Sequence, residues 1–189
     1  MKSRAVVAGH AIHPMLIVFP LGLLATSVVW DICALASSHP RSWGMISFWT
    51  ILAGVVGALL AAVPGFIDWL AIPKGTRART IGVYHLTINL VVVALFVVSL
   101  IGRWQTPGGY ELAGPGWMIL GWIAVALALV SGWLGGELVE TLGISVREGA
   151  NPNAPSPLST KTSTRTPPSA TPPTTARPGA HSVPVHRGV

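Results

Sequence analysis

Four stretches of the chain, residues 14–36, 43–70, 81–102 and 115–142, stay apolar long enough to cross a hydrocarbon core, which takes about 20 helical residues. A core helix of a soluble domain would be shorter and would carry a polar face, which these lack. Lipid offers a backbone no hydrogen-bond partner, so spans of this kind must be helical. A chain of 189 residues with 51% hydrophobic residues, 10% charged residues and a mean hydropathy of +0.61 also lies outside the soluble range. The expected fold is all-α, an integral membrane four-helix bundle formed by residues 1–149.

The first stretch is longer than the 7–15 apolar residues of a secretory signal and carries Asp31 near its end, so it reads as the first span. Cys33 has no partner in the chain, which removes disulfides and cysteine metal sites within one subunit. Basic residues are retained on the cytoplasmic side of a membrane. Lys2, Arg4, Lys74, Arg77, Arg79 and Arg147 fall on one side of the four spans, with Arg41 and Arg103 in the loops on the other. This bias expects both termini in the cytoplasm and a bacterial inner (cell) membrane as the location. Residues 150–189 are rich in Pro, Ser and Thr and too poor in apolar residues to form a core, which predicts a disordered cytoplasmic tail. Its basic residues are sparse and no aromatic is interleaved with them, so nucleic acid is not an expected partner, whereas the lipid bilayer is.

Trp30, Trp43, Trp69, Trp104 and Trp117 fall near the predicted span ends, where indoles anchor at the headgroup level. Small residues recur every four positions at 53, 57 and 61, at 54, 58 and 62, and at Gly132 and Gly136. They predict close helix packing, within the bundle or in a homo-oligomer.

The polar residues near the spans are unevenly placed. His10 and His13 open the first span, Asp68 lies near the end of the second, His85 and Asn89 in the first turns of the third, and Glu137 in the last turns of the fourth. With the orientation above, all six map to the cytoplasmic leaflet, while the other half holds little beyond Asp31 and Glu111. His85 and Asn89 are four apart and share one helix face. Asp68 stands at a helix carboxyl end, where the macrodipole disfavours its charge, so it needs a partner. Arg77, Arg79 or a protonated His13 or His85 would serve. Pro64 and Gly65 just before it predict a kink that frees carbonyls nearby.

Taken singly, each of these residues reads as an interface residue; together they read as one internal polar site, since ionisable groups inside a membrane are costly. Imidazoles from parallel helices one and three suit the axial positions of a haem b iron, and with Asp68 and Glu137 they form a mixed set suited to a divalent metal. His13 and His85 are the expected ligands. Chains of His, Asp and Glu also carry protons, so a small transporter or proton-conducting module is the alternative, and a non-catalytic scaffold needs no site at all. Soluble-enzyme templates are absent: there is no phosphate loop and no GxSxG elbow, and no catalytic residue is assigned.

The segments "GHAIHPMLIVFPLGLL", "GFIDWL", "GVYHLTIN" and "GGELVETLGISV" together resemble the bacterial membrane proteins grouped as domain of unknown function 2231, over residues 9–146. The resemblance implies a four-helix inner-membrane protein with His13, Pro14, Asp68, His85, Asn89, Gly135 and Gly136 among its motif residues. It also implies a histidine before the glycine of the last motif, where this chain has Leu142. Relatives joined to Rieske-type iron–sulfur domains imply a redox role and a redox protein partner.

Overall fold

The computed structural model describes residues 1–159. Residues 160–189, which hold most of the predicted tail, lie outside the described residues. The four expected spans are present. The first consists of α1 (Ile12–Leu16) and α2 (Val18–Ala36), the second is α3 (Pro40–Ala71) and the third α4 (Arg77–Trp104). The fourth is α5 (Pro115–Gly136), extended by a π-helical turn at Glu137–Thr141. Ahead of them β1 (Val6–Val7) and β2 (His10–Ala11) form a small antiparallel hairpin in which Val6 pairs with Ala11 and Val7 with His10.

The element ends differ from the sequence expectation for identifiable reasons. The first span divides at Ile17 because Pro20 has no N–H for the Leu16 carbonyl one turn back. α3 starts at Pro40, whose fixed φ suits the first turn of a helix. α4 starts at Arg77, inside the expected loop, because the Thr76 hydroxyl accepts from the Arg79 N–H at 3.2 Å and caps the helix.

The helices run up and down, with α2 against α3, α4 against α5, and the two hairpins closed into a bundle by α3–α4 and α2–α5 packing. The main core draws on Leu24, Phe48, Ile51, Val55, Val92, Phe96, Leu100 and Ala124. A smaller cluster of Ile72, Ala78 and Leu138 closes the end nearest the hairpin. The outward faces carry large apolar side chains such as Phe19, Leu60, Leu90 and Leu129, as lipid contact requires.

At the other end a charged cluster is buried in the bundle. Arg103, placed in a loop by the sequence pattern, belongs to the last turn of α4 and is fully buried, as is Asp31 of α2. The guanidinium grips the carboxylate with two bonds, Nη1 to Oδ1 at 2.8 Å and Nη2 to Oδ2 at 2.6 Å. Ser47 of α3 donates to Asp31 Oδ1 at 2.6 Å, Arg103 Nε donates to Ser99 Oγ, and Ser99 donates to the Trp117 carbonyl of α5. One network thus ties all four spans together, and each charge has its partners away from water. Arg103→Ala leaves Asp31 buried and unpaired and is expected to lower stability by about 3–5 kcal/mol. Asp31→Leu combined with Arg103→Met recovers most of that loss. Thermal unfolding in detergent separates the two, and equal losses would refute the ion-pair account.

Candidate functional site

The end of the bundle opposite this ion pair holds the residues singled out in the sequence. His13 lies in α1, against α3. Its Nδ1 is 2.8 Å from the Ala61 carbonyl, which can only accept, so Nδ1 carries the ring proton. Pro64 supplies no N–H to the Leu60 carbonyl and loosens the helix there, and the imidazole bonds at the adjacent carbonyl. Gly65 makes room: a Cβ at that position would lie 2.7 Å from His13 Nδ1.

His85 of α4 repeats the arrangement against α5. Its Nδ1 is 2.9 Å from the Ser131 carbonyl and 3.0 Å from Ser131 Oγ, so this proton also is committed to a backbone oxygen. The ring rests on Gly135, where a Cβ would lie 3.2 Å from His85 Cε1. Asn89, one turn on, directs its amide N–H groups to the His85 carbonyl at 2.9 Å, Ser131 Oγ at 2.8 Å and His85 Nε2 at 3.2 Å. The two imidazoles meet edge to face with ring centres 6.3 Å apart and planes at 90°. Both are half-buried.

This proton placement decides what the rings can do. With Nδ1–H pinned, each Nε2 is left as the basic nitrogen, the tautomer in which histidine ligates a metal while a second-shell oxygen orients it. It also argues against Ser131 as a nucleophile, because the imidazole nitrogen facing the hydroxyl is a donor and cannot accept its proton.

The other expected residues lie apart from the rings. Asp68 is buried on α3, and its carboxylate accepts from Ser3 Oγ at 2.7 and 2.8 Å, the Arg4 N–H at 2.7 Å and the Ala5 N–H at 3.1 Å. These donors, from the N-terminal segment, stand where an arginine or a histidine was expected. Arg79 lies over the Trp69 ring at 3.5 Å and donates to the Trp69 carbonyl, capping α3. Arg77 pairs with Glu137 at 2.6 Å, and Thr141 donates to the same carboxylate at 2.9 Å. His10 is exposed in β2 and bonds the Ala8 carbonyl. Among the described residues no group of three or more His, Cys, Asp or Glu side chains is placed to hold a metal ion.

Over residues 9–148 the sequence matches the family described as "Predicted membrane protein (DUF2231)". The chain belongs to that family. No curated protein matches this DUF2231 member, and no solved structure does. The matched residues include the two imidazoles, Asn89, the Gly65 and Gly135 ledges, and Asp68, whereas the donors to Asp68, Ser3 to Ala5, lie ahead of them.

Ser131 and Ser3 were not singled out by the sequence. The trace of Ser131 is a lone hydroxyl one turn before the Gly-Gly pair, facing a histidine of the preceding span only once the helices pack. Asn89→Leu removes an interhelical bond in lipid and is expected to cost about 1 kcal/mol. Urea or thermal unfolding in detergent measures it, and a loss as large as that of Arg103→Ala would contradict this ranking.

Proposed function

We propose that this protein is a membrane redox protein in which His13 and His85 hold a haem. The observation that carries the reading is the pair of imidazoles on separate helices, each with Nδ1–H fixed on a carbonyl, their ring centres 6.3 Å apart. Two imidazole nitrogens sharing one metal at about 2 Å each place ring centres about 6 Å apart. With no third protein ligand among the described residues, the pair suits an iron whose other positions are filled by porphyrin nitrogens better than a bare divalent ion. The half-buried rings leave an approach from outside the bundle. Asn89 rests on His85 Nε2 and keeps two other acceptors when that nitrogen is taken. A haem bound there supplies one-electron exchange inside the bilayer.

The proton-conducting alternative is weakened by the other half of the bundle, where Asp31 and Arg103 are locked together and fully buried. The orientation that accompanies the redox reading puts both termini in the cytoplasm of a bacterial cell, with the haem in the inner leaflet and a redox protein as partner on that side. Its support is the placement of Lys2, Arg4, Lys74, Arg77, Arg79 and Arg147 at one end against an exposed Arg41 at the other, Arg103 being inside the bundle.

The visible spectrum of the detergent-purified protein tests the first point. A Soret band is expected, reduced at least about tenfold in His85→Ala; a colourless protein without iron would sink the redox reading. A reporter fused after Val146 is expected to report the cytoplasm, and a periplasmic signal reverses the orientation.

A further inference from the structure

The segment that delivers His13 is built unlike the rest of the molecule. In α1 no residue is buried, and in the run from Arg4 to Leu16 none is either. Val6, Val7, Ala8 and His10 are exposed, and β1 and β2 turn back through Ala8 and Gly9 at φ 47° and 80°, a tight turn touched from outside at Gly9, where a Cβ would run into Pro157 Cβ. Ile12 N–H closes this loop on the Ala5 carbonyl at 2.9 Å. A segment with so few buried apolar contacts sits at the low-stability end of a protein.

Two features bound it. At one end the chain changes helix at Ile17, where Pro20 leaves the Leu16 carbonyl without its usual donor. At the other end Ser3, Arg4 and Ala5 surround the Asp68 carboxylate, and Ser3 is the one buried residue of the N-terminal run. Between them His13 lies on Ala61 and Gly65. Positions 61, 65 and 68 form one face of α3, so arm and helix meet along a single stripe with a carboxylate at its end.

We propose that residues 3–16 are a hinged arm, latched by Asp68, that carries His13 to and from His85. Asp68 is then a positioning residue. Its carboxylate accepts charge-assisted bonds from three consecutive residues, just behind the Met1 ammonium, which donates to the Gly143 carbonyl at 2.6 Å. With the latch closed His13 stands opposite His85; with it open the arm swings about Ile17 and His85 keeps its seat on Ser131 and Gly135. The arm is independent of any cofactor, whereas its effect on iron ligation rests on the haem reading above: closed, both imidazoles would be offered to the iron; open, His85 alone would hold it and a small exogenous ligand could bind.

The test uses the full-length protein in detergent, as wild type, Asp68→Ala and the milder Ser3→Ala, with a monodisperse elution peak required of each. Tryptic cleavage after Arg4 reads the latch, because the bonds on either side are held by Asp68. Cleavage is expected to accelerate about tenfold or more in Asp68→Ala and by less in Ser3→Ala. In the haem-loaded protein the wild type is expected to show a six-coordinate spectrum that resists carbon monoxide, and Asp68→Ala a five-coordinate one that binds it, with haem retained through His85. Unchanged cleavage overturns the latch whether or not haem is present. Faster cleavage with six-coordinate iron kept overturns the carriage of His13. A colourless wild type with faster cleavage in Asp68→Ala upholds the latch and overturns the ligand exchange together with the haem.

Discussion

Inside hydrocarbon a polar group finds only the partners that the protein itself supplies, and the arrangement of this bundle follows from where that demand is met in full. At the Arg103 end it is met completely: Asp31, Ser47, Ser99 and the Trp117 carbonyl close the network, and the charges are sealed. At the His13 end each ring has one nitrogen bound to a carbonyl and is only half covered. A sealed ion pair fixes which helices pack together. The half-covered pair of rings stays partly open, with His85 Nε2 held only by the Asn89 amide at 3.2 Å.

Prolines and glycines create that second arrangement more than the polar residues do. Pro20 divides the first span, Pro64 opens α3 beside the carbonyl that seats His13, and Gly65 and Gly135 make the two ledges on which the imidazoles lie. None of these has chemistry of its own. They place a ring nitrogen against a helix backbone whose carbonyls are ordinarily used by the helix itself. Gly132 and Gly136 show the contrast, since a side chain at either would meet nothing.

The spans were legible because length and apolarity suffice for a membrane helix, and connectivity alone puts His13, His85 and Asn89 at one end of the bundle, where the structure has them. The ion pair was not legible. Arg103 is followed by Trp104, Gln105, Thr106 and Pro107, and an arginine beside such residues reads as a loop until α4 is seen to continue through it. Ser131 was hidden because a hydroxyl in an apolar helix ordinarily bonds its own backbone, and only packing turns it towards another span. The partner of Asp68 was sought among nearby arginines, by charge. Its actual donors are two backbone N–H groups and a hydroxyl more than sixty positions away, which no local pattern announces.

That separation along the chain also sets an order of events. During synthesis the first dozen residues leave the ribosome long before Asp68 exists, and the carboxylate becomes a docking point only when the second span has been threaded to its end. His85 and its seat on Ser131 come later still. The N-terminal arm must therefore wait, undocked, through the insertion of the helices it will cover. The two imidazoles first face each other only when biogenesis is nearly finished, so any group they share is acquired by an assembled bundle and not by a nascent one.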